Sequence, residues 1–184
     1  MVNLIRRWIR RFYGRHFTFA FPLGSGYDRE NEMNTRVRLL KDIQIKCIRE
    51  LKTADVDGDG INETFCNFAV QRVCNKVAGY TKLSGMLANE MFDFMIESEE
   101  WELVPTSEAS KWAKLGRIVV AIKQYKRHGH TASIYPTESQ YSGSWQKDVP
   151  MCANVGGTNG VMKVSEAFPV KDGEPFYFIL NETT

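Results

Sequence analysis

The feature that most constrains this chain is a change of texture at Gly116. Before it, apolar residues recur at three- and four-residue intervals; after it they gather in short runs divided by glycine and proline. The first pattern predicts helices, in "MNTRVRLLKDIQIKCIRELK" (33–52) with Val37, Leu40, Ile43, Cys47 and Leu51 on the buried stripe, and in "TFCNFAVQRVCNKVAG" with Cys66, Ala69, Val70, Val73 and Val77. Thr64 is the expected N-cap of the second helix and Gly79 its stop. Ser84 and Ser107 are expected to cap two further helices, "GMLANEMFDFMIES" and "EASKWAKLG". The second pattern predicts strands in "RIVVAIKQY", "HTASIYP", "MCANVGG" and "EPFYFIL", whose spacing suits an antiparallel meander. The expected fold class is therefore α+β, with N-terminal helices packed on an antiparallel β-sheet.

Charge divides the chain again. The first 27 residues carry Arg6, Arg7, Arg10, Arg11 and Arg15 and no acid, so the chain's net charge of +2 leaves the remainder net acidic and the basic character belongs to this arm. Leu4, Ile5, Trp8, Ile9 and Phe12 share one face of a helix there, with four of the arginines opposite. Such a helix suits an anionic membrane surface, or packs its apolar face on the domain and leaves its arginines in water. We divide the chain into this arm, 1–27, and one domain, 28–184, with "FPLGSGY" as the connection. No apolar run approaches 18 residues, and arginines and Pro22 spoil the N-terminus as a signal peptide, so synthesis in the cytoplasm without general secretory export is expected. Nucleic acid is not an expected partner, and a monomer is. Cys47, Cys66, Cys74 and Cys152 lack C-x-x-C spacing, which suits reduced thiols. Cys47, Cys74 and Cys152 read as small core residues.

The stretch "DVDGDGINETFCN" concentrates the chemistry. Asp55, Asp57 and Asp59 occupy the first, third and fifth positions of a calcium loop, Gly60 the sharp turn, Ile61 a carbonyl ligand and Glu63 the ninth position. The twelfth, where an EF-hand requires glutamate, is Cys66. A thiol suits a hard cation poorly, so the acidic front is the expected Ca²⁺ site and Cys66 has another use. At the start of a helix, unpaired N–H groups favour a thiolate. Of the three histidines, His130 heads a predicted strand, where its ring can be held rigidly, and is preferred to His128. Asn154 then offers an oxygen to the second ring nitrogen. Cys66, His130 and Asn154 form a coherent set of nucleophile, base and orienting group.

Two other classes compete. Cys66, Cys74, Cys152, His128 and His130 are zinc-ligand types, but no cysteine pair has finger spacing, and Cys74 lies about 80° around the helix from Cys66. A non-catalytic calcium-dependent binding module would use the loop and surface aromatics to hold carbohydrate, yet has no need of the thiol, imidazole and amide. Trp101, Trp112 and Trp145 read as core or rim packing, and Glu97, Glu99, Glu100 and Glu102 as a solvated helix end and turn.

Cys66 at a helix start, "GHTASIYP" and "ANVG" together resemble the CHAP family of cysteine, histidine-dependent amidohydrolases/peptidases, related to NlpC-type and papain-like folds. The likeness spans roughly residues 33 to 180 and is strongest to bacteriophage endolysins and tail-associated lysins, where an aspartate-rich calcium loop can precede the cysteine. It implies a papain-like fold and hydrolysis of an amide bond of peptidoglycan, in the stem peptide or at the sugar–peptide link. It further implies Cys66 as nucleophile, His130 as base and acid, Asn154 as orienting residue, and a structural Ca²⁺. Action on the wall would follow holin-type release, carriage in a virion, or injection as an antibacterial effector. Several relatives carry a glutamate two positions before the asparagine; here that position is Cys152.

Overall fold

The computed structural model describes residues 26–54 and 64–182, with side chains from residue 30. The expected calcium ligands Asp55, Asp57, Asp59, Ile61 and Glu63, and all but the last two residues of the basic arm, lie outside the described residues.

The first helix, α1 (Gly26–Glu50), begins two residues inside the predicted arm. Its buried stripe holds Leu40 and Cys47 as expected, but also the fully buried Gln44. An amide is tolerated there because Gln44 Nε2 donates to Ser133 Oγ at 3.0 Å and to the Ile134 carbonyl at 2.8 Å, which pins α1 to a central strand. Helix α2 (Cys66–Ala78) buries Cys66, Ala69, Val70, Val73 and Val77 as its periodicity requires, and ends on Gly79 in the left-handed region at φ 64°. The N-caps differ from expectation. Phe65, not Thr64, occupies the cap of α2, and no side chain closes it. Helix α3 (Ala88–Glu97) starts after Leu87, whose N–H donates to Glu90 Oε2 at 2.8 Å, well beyond Ser84. Helix α4 (Thr106–Lys114) starts after Pro105, which places Ser107 inside its first turn. At α4 the proline sets the start, and at α3 the Glu90 carboxylate rather than a serine hydroxyl satisfies the cap.

Among the described residues, eight strands follow the helices or lie between them: β1 (Trp101–Val104), β2 (Val119–Lys123), β3 (His130–Ile134), β4 (Gln140–Ser142), β5 (Lys147–Val149), β6 (Met151–Asn154), β7 (Gly160–Lys163) and β8 (Phe176–Leu180). A short helix, α5 (Val164–Ala167), and a 3₁₀ turn at Val170–Asp172 precede β8. The main sheet is antiparallel with order β1-β8-β2-β3-β6-β7, and β4 pairs with β5 apart from it. This is α+β as expected, but it is no simple meander, because the last strand inserts between β1 and β2. Trp101 is buried, as expected of a core residue, but lies in a strand where the flanking glutamates suggest a turn, and its Nε1 donates to Tyr80 Oη at 3.1 Å.

Alternate strand residues face opposite layers. Val120, Ile122, Phe178 and Leu180 meet α1, α2 and α3 in one core, while Val119, Ala121, Ala132, Ile134, Tyr177 and Ile179 meet α4, α5 and Phe168 in the other. Cys47, Cys74 and Cys152 are buried in these layers, and all four cysteines are free thiols. No helix among the described residues is long and apolar enough to cross a membrane.

The β2–β3 connection is fastened to α3. Asn89 Nδ2 donates to the Tyr125 carbonyl at 2.9 Å, and Asn89 Oδ1 accepts the Tyr125 N–H at 3.3 Å. Gly129 lies against this asparagine so closely that a Cβ would overlap Asn89 Oδ1 and sit 3.0 Å from the Lys123 carbonyl oxygen. Only glycine permits the approach that delivers the chain into His130. We expect Gly129→Ala to cost roughly 1–3 kcal/mol by overpacking, measured by urea unfolding. Gly157→Ala, which would meet no atom within 4 Å, should change stability by less than about 0.5 kcal/mol; equal behaviour of the two would refute the close-packing account.

Candidate active site

His130 opens β3, and β6 runs antiparallel beside it with Ser133 opposite Ala153 and Ile134 opposite Cys152. That register sets the side chains of Asn154 and His130 on one face of the sheet, one diagonal step apart. They meet: His130 Nε2 and Asn154 Oδ1 are 2.8 Å apart. The amide is itself oriented, because Asn154 Nδ2 donates to the Thr158 carbonyl at 2.6 Å. Its oxygen must then face the ring, so Nε2 carries the proton and Nδ1 keeps a lone pair for a base. Two more contacts hold the ring plane. Phe168 packs on one side at 4.8 Å between centroids, and Gly156 lies so near that its Cβ would be 3.3 Å from His130 Cε1. His128, two residues earlier, is exposed.

Cys66 approaches from the other layer. It is the first residue of α2, which packs on β3, and is only 4% exposed. Burial pushes its thiol above the ordinary range, against backbone hydrogen bonding from Thr131, Asn67 and its own amide and a side-chain bond from Thr64, all of which favour the thiolate. The expectation of a thiolate at the helix start is thus not met in the resting chain: desolvation outweighs the helix terminus. The Thr131 contact puts the thiol at the residue following His130. Among the described residues, no hydrogen bond joins the Cys66 thiol to the His130 ring.

His130 is shifted the opposite way. Burial lowers its pKa, and the Asn154 bond offsets this in part by favouring the charged ring. At neutral pH the Cys66 thiol and the His130 imidazole are therefore both uncharged.

An open depression of about 460 Å³ lies on the His130–Asn154 side, with Tyr125, Thr158, Met162, Glu166 and Asp172 among its lining residues. Burial and the Asp172 carboxylate both raise the Tyr125 phenol. Cys66 does not line the depression. Cys152, two positions before Asn154, is fully buried in the second core layer. The five thiols and imidazoles of the zinc alternative do not converge: among the described residues, no three of His, Cys, Asp and Glu form a metal-binding group. Trp112 and Trp145 pack at the margin of the second core layer.

Sequence reasoning missed Phe168, Gly156 and the Thr158 carbonyl, which frame the ring and the amide. For Gly156 and Thr158 the available signal was the turn-forming "VGGTNG" after Asn154. No protein-family model matches the chain, and no curated protein matches it either.

Two titrations test this electrostatic picture. Alkylation of Cys66 by iodoacetamide should keep accelerating as pH rises through the ordinary thiol value of 9.0, rather than reach a plateau near neutrality. By NMR, the His130 ring should protonate below its ordinary value of 6.5. Because its folded pKa is depressed, its contribution to stability is complete above the unfolded value and is lost as pH falls toward the folded one. Acid destabilisation should accordingly be smaller in His130→Gln. A Cys66 plateau below pH 7 would show that the resting thiol is already ionised.

Proposed function

We propose that the chain is a cysteine peptidase/amidase of papain-like, CHAP/NlpC-type architecture that hydrolyses an amide bond of bacterial peptidoglycan. The observation that carries the reading is the 2.8 Å contact between His130 Nε2 and Asn154 Oδ1, which leaves Nδ1 as a base. Cys66, opening a helix packed on the histidine's own strand, supplies the nucleophile type that such a base serves. The α+β arrangement, with helices against an antiparallel sheet, is compatible with the papain-like plan.

In this mechanism the thiol proton passes to His130 Nδ1 as Sγ bonds to the substrate's carbonyl carbon. The resulting oxyanion accepts a hydrogen bond from the Cys66 backbone N–H, which lies in the first helical turn and has no intrahelical acceptor. Collapse breaks the C–N bond, and Nδ1–H protonates the departing amine. Water then gives a proton to Nδ1 and its hydroxide equivalent to the thioester carbon, which releases the acid and restores the thiol. Asn154 keeps the imidazole in the required tautomer and stabilises its charged form between these transfers.

Calcium belongs to the same proposal. The donor set Asp55, Asp57, Asp59, Glu63 and the Ile61 carbonyl is all oxygen, which fits Ca²⁺ chemically, and Cys66 at the twelfth position bonds to β3 backbone instead. These residues would hold the ion, and its charge would order the approach to α2. The arginine-bearing arm is proposed to meet an anionic envelope surface.

Mass spectrometry of fragments released from purified peptidoglycan tests the chemistry. Wild type should generate new amine termini, and Cys66→Ala or His130→Ala should lower the rate on the order of 10⁴-fold or more without loss of fold. If wild type and Cys66→Ala bind wall equally and neither releases fragments, the hydrolase reading fails in favour of a binding module. For calcium, chelator should lower the melting temperature of wild type and leave Asp57→Asn/Asp59→Asn unchanged; an identical response in both proteins removes calcium from the proposal.

A further inference from the structure

Asn159 lies outside the contacts that define the dyad, yet it bonds to both of the parts that flank it. Its Oδ1 accepts the Gly156 N–H at 2.9 Å. Its Nδ2 donates to the Leu51 carbonyl at 2.6 Å and reaches the Ile48 carbonyl at 3.3 Å. Those carbonyls belong to the last turn of α1 and the residue just past it, where a helix leaves acceptors without intrahelical partners. A single half-buried amide therefore uses its acceptor on the β6–β7 turn and its donors on the end of α1, 108 residues away in sequence.

That turn is the frame of the dyad. Gly156, held by Asn159, stands beside His130 Cε1; Thr158, the preceding residue, orients the Asn154 amide through its carbonyl. Gly157 and Thr158 are exposed and receive no support from a packed core. Without Asn159, the segment from Gly156 to Thr158 loses its bonds to α1 and keeps its strand ends and the bond from the very amide it orients, Asn154 Nδ2 to the Thr158 carbonyl. We infer that Asn159 is a positioning residue, which acts through Gly156 and Thr158 to hold the His130 ring and the Asn154 amide in register. A purely structural role would lower stability and leave the histidine unchanged. A positioning role alters the histidine in a protein that remains folded.

The inference rests on the proposed function only for its effect on turnover, so its main readouts are independent of substrate. In Asn159→Ala, ¹⁵N NMR should show the His130 titration moving up toward 6.5 as Gly156 withdraws and water reaches the ring. Protection of the Nε2 proton from exchange should fall. Asn159→Asp keeps an acceptor for the Gly156 N–H, loses the donors to α1, and should lie between wild type and Asn159→Ala. Gly156→Ala provides a second route, since its Cβ would press on the ring from 3.3 Å, and it should perturb the same resonances if Asn159→Ala fails to fold. On a soluble stem-peptide substrate, kcat for Asn159→Ala should fall by about 10- to 100-fold with KM little changed. A folded Asn159→Ala with wild-type His130 titration and proton exchange overturns the inference. Wild type that shows the expected NMR behaviour but no hydrolysis would count against the proposed function alone.

Discussion

The pairing register of β3 and β6 is the constraint on which the site depends. Extended from Ser133–Ala153 toward the start of β3, it sets Gly156 opposite His130 and Asn154 one diagonal step away on the same face. Side chains alternate across a sheet, so a slip of one residue would turn Asn154 into the layer of α1 and α2 and bring Ala153 or Val155 to the ring. Apolar burial opposes the slip. Cys152 and Ile134 belong to one core, Val155 to the other, and each would exchange a matched environment for the wrong one. The positions of two polar side chains are thus set by the burial preferences of their apolar neighbours, whose hydrophobic contributions are each on the order of 1.5–3 kcal/mol.

The same sheet explains why the site rests uncharged. Cys66 comes from the layer of α1–α3, while His130 faces Phe168 in the opposite layer, so both approach the strand head through desolvated surroundings. Desolvation raises a thiol and lowers an imidazole, and here it leads in both cases. The helix terminus and the Thr131 contact act against it without reversing it. A nucleophile activated only when its proton has somewhere to go is protected from alkylation and oxidation between encounters. In the proposed mechanism, substrate binding is then also what completes the proton path.

Much of this arrangement was legible in sequence because it follows from periodicity. The stripe of α2, its glycine stop, the strand headed by His130 and the strand ending in Asn154 all follow from local patterns that the tertiary structure respects. What escaped was non-local. The order β1-β8-β2 requires the last strand to pair with both the first and second, and no spacing rule encodes that. The β1 segment carries glutamates on either side of Trp101, which disguised a strand as a solvated turn; Glu100 meets Lys82 and Tyr80 at the surface while Trp101 is buried. The Asn159 bonds join the two ends of the domain and have no local signature beyond a turn-forming asparagine before glycine.

Cys152 shows how the site manages without an acid at that position. The side chain faces the second core among Ala132, Ile134, Val164 and Phe168, and burial pushes its thiol far above the ordinary range. A glutamate there would have to lose its hydration in an apolar layer within reach of the Glu166 charge, and it would therefore stay protonated or displace the core. The orienting work falls instead to neutral groups: the Asn154 oxygen on the ring and the Thr158 carbonyl on the amide. A neutral acceptor stabilises an imidazolium less than a carboxylate does, and this agrees with a histidine whose pKa stays depressed despite its partner. His130 therefore stays unprotonated at neutral pH, as the proposed attack step requires, and an asparagine suits an imidazole buried to this depth better than an acid would.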